Sequence, residues 1–71
     1  MITNKELHKS MDRNKIKVGT VIRIIHLEGE NEDYDGRQGT VEYIDDMGDL
    51  HGTWGGLAVI PEKDEFKVLK W

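Results

Sequence analysis

The apolar positions of this 71-residue chain change period once, near Val18. Before that point Leu7 and Met11 share one helical face at i, i+4. Thr3 followed by Glu6 matches a capping box, in which the hydroxyl caps an early backbone N–H and the carboxylate reaches back. Ile2 and Leu7 have the spacing of a hydrophobic staple. The apolar stripe is narrow, so this short helix is expected to lie as a lid on the domain and to fade before Gly19. After Val18 the period is two. The run TVIRIIHL (20–27) is β-branched and too short for a good helix. With Arg23 expected to face solvent, Ile22 and Ile24 point inward. The polar segment EGENEDYDG (28–36) has a single aromatic, Tyr34, and too little apolar surface for an element of its own. Further strands are expected at QGTVEYI (38–44), LHGTW (50–54), LAVI (57–60) and FKVLK (66–70). DDMGD (45–49) reads as a turn with Gly48 at positive φ, and Gly55-Gly56 as a tight two-residue hairpin turn. Pro61 stops the fourth strand because it cannot donate a ladder hydrogen bond.

Five short strands with a long first loop predict a mainly β domain. The expected architecture is a small SH3-like barrel over residues 17–71, preceded by a helical extension over residues 1–16. Closing the sheet removes the adhesive edges that an open one would leave. The length allows one domain with a thin core. There is no Cys, which excludes disulfides, thiolate zinc sites and cysteine nucleophiles. No apolar run approaches the roughly 18–20 residues of a membrane span, and MITNKELHKS has no signal-peptide core. The expected location is therefore the cytoplasm, with no membrane partner. The net charge of -4 argues against a generically basic nucleic-acid binder. That total conceals a division. Residues 1–23 carry six bases and two acids, residues 24–49 nine acids against Arg37 alone, and the remainder balances. Such asymmetry can mark a partner surface.

Two resemblances lie on these strands. Gly36-Arg37-Gln38-Gly39-Thr40-Val41-Glu42-Tyr43-Ile44 is similar to the G-x-x-G-x-V-x-x-I core of the KOW motif of ribosomal and elongation-factor SH3-like barrels. A longer pattern comprises Val18-Gly19-Thr20, Gly39-Thr40-Val41, Asp45-Asp46-Met47-Gly48, Leu50-His51, Trp54, Gly56-Leu57, Ile60-Pro61, Asp64 and Phe66. It resembles an uncharacterised family of small bacterial proteins classed as a domain of unknown function. The resemblance implies an SH3-like barrel and carriage on plasmids, conjugative transposons or phages. Ile44 stands where the family usually has Val, and the segment before Gly36 lacks the family's usual Pro. The family has no established activity, so it transfers no functional residues.

The candidate chemistry is correspondingly restrained. Of His8, His26 and His51, no two have metal-site spacing, and His51 beside Asp46 and Asp49 reads as a strand histidine bonded across the turn. The acids from Glu28 to Asp35 do not keep the ligand spacing of a calcium loop. Asp45-Asp46 lies in a turn, where an Asp side chain bonds backbone N–H groups two residues on. The single Ser10 lacks a nucleophile context, and Gly36-x-x-Gly39 lacks the Lys of a phosphate loop. No cofactor and no catalysis are expected. The expected function is a non-catalytic binding module, an accessory factor of a mobile element that engages a basic protein surface. Glu28, Glu30, Glu32, Asp33 and Asp35 would steer that partner, with Tyr34 and Trp54 as aromatic contacts. The alternatives are nucleic-acid binding through Lys5, Lys9, Arg13, Lys15 and Lys17, or an acidic decoy of a host DNA-binding defence protein. A monomer or a weak, charge-paired homodimer is expected.

Overall fold

The structure, a computed structural model, describes residues 15–71. The expected helix around Leu7 and Met11 lies outside the described residues, as do Lys5, Lys9 and Arg13. Five strands form one sheet: β1 (Val21–His26), β2 (Gln38–Ile44), β3 (Leu50–Gly52), β4 (Gly55–Val59) and β5 (Glu65–Lys70). Their spatial order is β4-β3-β2-β1-β5, and every pairing is antiparallel. The first four strands make a meander, and β5 returns to the far side of β1. Ile22 stands opposite Gly39 of β2 and Val68 of β5, and Leu50 stands opposite Val59.

The alternation in β1 decides which face is inside. Ile22 and Ile24 are fully buried, while Arg23 points outward and bonds Gln38 of β2 through Nε at 3.0 Å. Val41, Leu50 and Val59 join them from β2, β3 and β4, with Leu27 and Trp54, and Phe66 and Val68 of β5 pack against the same cluster. In a flat sheet β4 and β5 would lie roughly 19 Å apart, at about 4.8 Å per strand spacing. One shared cluster therefore requires the sheet to curl around it. Strand β2 carries much of the bend: Gln38 to Thr40 pair with β1, then Val41 to Ile44 pair with β3, with a register shift between Val41 and Tyr43. Such irregularities increase local twist.

The central hairpin corrects the sequence expectation. It turns at Thr53-Trp54, two residues before the glycine pair, so β3 ends at Gly52 and Gly55-Gly56 open β4. The cause is the Trp54 ring, which is only 3% exposed. It folds back across Gly39 and Gly52. A Cβ on Gly39 would lie 3.0 Å from the ring, and one on Gly52 would run into both the ring and the Thr40 carbonyl. The indole Nε1 donates to the Leu57 carbonyl at 2.8 Å, so the ring is buried with its polar atom satisfied. These glycines provide room for a ring as well as a turn. The other turns follow the sequence: Gly48 has φ +87°, and β4 ends at Val59, before Pro61.

Candidate functional site

The first loop, read from sequence as lacking structure, is instead fixed at several points. Asn31 caps a 3₁₀ turn at Glu32–Tyr34, its side-chain oxygen accepting from the Asp33 N–H at 2.9 Å. Tyr34 is half-buried and packs on the core cluster. The Arg37 guanidinium lies 4.1 Å above the Tyr34 ring centre, a cation–π arrangement. Arg37 Nε donates to the Asp33 carbonyl at 3.1 Å and Nη1 to the Trp54 carbonyl at 2.8 Å. One side chain thus ties the loop to the central hairpin. Gly55 matters on the hairpin side, because a Cβ there would lie 2.6 Å from the Tyr34 hydroxyl.

Both ends of the loop are also held. Asp64, buried in the turn before β5, accepts from the Glu28 N–H at 2.8 Å through Oδ1 and from the Ile60 N–H at 2.7 Å through Oδ2. A hydrogen bond to a charged acceptor contributes about 1.5–3 kcal/mol. Two such bonds outweigh an exposed ion pair, which is worth about 0–1 kcal/mol. At the other end Gly36, at φ +84°, donates to the Ile24 carbonyl at 2.8 Å, and Asp35 meets His26 Nδ1 at 2.8 Å. The hydrogen bond to Asp35 and the charge on that carboxylate raise the His26 pKa above its ordinary 6.5, with Glu65 and Glu32 adding to the effect and desolvation opposing it.

This frame leaves Glu28, Glu30, Glu32, Asp33 and Asp35 exposed together on one braced loop. Trp54 and Tyr34, expected as aromatic contacts, sit beneath this surface. Trp54 is buried and Tyr34 lies under Arg37, so both hold the loop from beneath. Lys15 and Lys17 are exposed. Sequence reasoning missed Arg37 and Asp64. Arg37 had a signal, as the only base among nine acids over residues 24–49; Asp64 stood in the family-like pattern, but nothing in that pattern indicated its bond to the Glu28 N–H.

His51 belongs to a different brace. Its Nε2 meets Asp45 Oδ2 at 2.8 Å, and its ring stacks on Tyr43 at 4.3 Å and 4°. Asp45 Oδ1 accepts from the N–H groups of Met47 at 2.9 Å and Asp49 at 3.0 Å, the turn role expected of an Asp here. The His51 bond, followed by the backbone bonds from Asp49 and Met47, holds the Asp45 carboxyl below its ordinary 3.8. The histidine partner is therefore Asp45, rather than Asp46 or Asp49. Among the described residues no three His, Cys, Asp or Glu side chains converge to hold a metal ion.

Beside the acidic loop runs a groove of about 190 Å³, lined by Leu27, Glu28 and Glu30 on one side and by Leu57, Ala58 and Ile60 of the β4 region on the other, with Lys63 and Asp64. Ligand pockets for whole small molecules are about 300–1,000 Å³. This groove is sized for a side chain.

Fold and site together define a small antiparallel β domain with a braced acidic loop. A family described as a domain of unknown function (DUF4314) matches residues 4–69, nearly the full chain, and the protein belongs to that family. No curated protein and no solved structure matches it. No helix among the described residues is long and apolar enough to cross a membrane.

Proposed function

We propose that this domain is a non-catalytic protein-binding module, an SH3-like barrel that presents its first loop to a basic surface of a partner protein. The observation that carries this reading is the exposure of five carboxylates on a loop fixed by Arg37, Asp64, Asn31 and the His26–Asp35 pair. A braced loop loses little conformational freedom on binding, and so retains more of its interaction energy as affinity. Clustered acidic groups accelerate encounter with a basic partner and reject acidic ones. The same field repels a nucleic-acid backbone, which counts against a KOW-like role in RNA binding through Gly36 to Ile44. An accessory role in a cytoplasmic mobile-element system fits the family resemblance and needs no catalytic centre.

The experiment replaces Glu28, Glu30 and Glu32 with Gln and Asp33 with Asn, keeping Asp35 for its bond to His26. Proteins retained by the immobilised wild-type and variant chains from nuclease-treated bacterial lysate are compared by mass spectrometry. A basic partner is expected on the wild type and absent from the variant, with the thermal midpoint unchanged or higher because like charges have been removed. Identical sets on both would overturn the reading.

A further inference from the structure

Large apolar side chains stand uncovered at one end of the domain, the end where the chain enters the sheet. Val18 is 60% exposed, Tyr43 54%, Trp71 44% and Ile44 38%. Hydrogen bonds gather these positions. The Gly19 N–H donates to the Val41 carbonyl at 2.9 Å and the Val41 N–H to the Thr20 carbonyl at 2.8 Å, so residues 18–20 run alongside the part of β2 that leads to Tyr43 and Ile44. The Thr20 hydroxyl donates to the Trp71 carbonyl at 3.4 Å, which brings the last residue to the same place. Ile16 packs against the core cluster, and Lys15 before it is in α-helical conformation. A single exposed apolar residue is ordinary; four at one end of so small a domain mark a surface that another element covers.

We propose that residues 1–14 of the same chain cover this surface, as a helix that lays Leu7 and Met11 on Val18, Tyr43, Ile44 and Trp71. Leu7 and Met11 are a helical i, i+4 pair, and a helix this short is marginal unless it packs against something. The family match begins at residue 4, so one family unit spans both this segment and the sheet. The lengths agree as well. At about 1.5 Å per residue, a helix running back from Lys15 carries Met11 about 6 Å and Leu7 about 12 Å away. From Val41 to Ile44, β2 extends about 10 Å. The acidic loop begins about 26 Å from Thr20 along β1, beyond the reach of a helix of about 18 Å that starts at Thr3. In this position Lys5, Lys9 and Arg13, on the helix face opposite Leu7 and Met11, point to solvent at the end of the domain away from the acidic loop. This packing is independent of the acidic-loop reading above.

Isotope labelling of the methionine methyl groups in the full chain tests the packing by NMR, with the Met11 resonance assigned through Met11→Leu. The Met11 methyl is expected to show nuclear Overhauser contacts with the ring of Tyr43 or Trp71, unchanged on dilution. In urea melts Leu7→Ser and Ile44→Thr should each lower the midpoint. The double variant should lose clearly less than the two losses added, as residues in contact do. The cycle cancels whatever Ile44→Thr does to the strand itself. Absence of those contacts, together with additive losses, would overturn the packing. Met11 contacts with Leu27 or Leu57 would place the segment in the groove beside the acidic loop and overturn it equally. Contacts that fade on dilution, with a dimer in sedimentation, would assign the surface to a second copy and overturn the proposal as well.

Discussion

Single side chains in this domain work mainly as braces for turns, and pH can reveal the effect of His26 and of Asp45. The His26 bond to Asp35 fixes the end of the acidic loop at 2.8 Å. The folded pKa is raised above 6.5, so the contribution of this pair is complete below the unfolded value and is lost as pH rises through the folded one. An NMR titration should give a His26 midpoint above 6.5, which Asp35→Asn should lower. A midpoint at or below 6.5 in the wild type would show that the pair does not form in solution. Asp45 has the opposite sign. Its folded pKa is depressed, so its brace on the β2–β3 turn is present above pH 3.8 and disappears as pH falls through the lower folded value. The two pairs therefore respond at opposite ends of the working range.

At the level of elements, the β3–β4 hairpin shows how a strand ending is set by what packs across it. Gly52 and Gly56 occupy neighbouring strands but differ in surroundings. A Cβ on Gly52 would meet the Trp54 ring and the Thr40 carbonyl, whereas nothing lies within 4 Å of one on Gly56. Overpacking of this kind costs about 1–3 kcal/mol. Gly52→Ala should accordingly lower the urea midpoint clearly, while Gly56→Ala should leave it almost unchanged. Equal effects would argue against the ring position, because conformational entropy alone treats two extended glycines alike. The same hairpin anchors the first loop through Arg37, so Gly52→Ala should also loosen the loop.

Over the whole molecule, the division of charge sets how salt acts. Residues 24–49 hold nine acids and one base, and five of those acids share a single loop. Their mutual repulsion reaches across the domain when the screening length is about 30 Å, at 0.01 M salt, and is confined to near neighbours when it is about 8 Å, at 0.15 M. Raising salt should therefore raise the thermal midpoint and at the same time weaken binding of the proposed basic partner. Parallel melts and partner-binding titrations over that range would measure both slopes. A melting point that falls with salt would mean that attractive pairs, rather than loop repulsion, dominate the electrostatics.

The sequence by itself determined the features that depend on near neighbours. Alternation placed Ile22 and Ile24 inside, Gly48 marked a positive φ, and Asp45 announced its own turn, because strand period and Asx bonding are properties of a few consecutive residues. The acidic character of residues 28–35 was equally plain. Only the tertiary structure decided where the hairpin turns, since Thr53-Trp54 prevails over Gly55-Gly56 through the space that Gly39 and Gly52 leave for an indole ring. It also decided how the acidic loop is tied to the rest of the domain. The bond from Arg37 to Trp54 spans 17 residues and that from Glu28 to Asp64 spans 36. The groove likewise joins Leu27 to Leu57. Contacts of that separation leave no local pattern in the chain, because they exist only once the sheet has curled and brought its ends around one core.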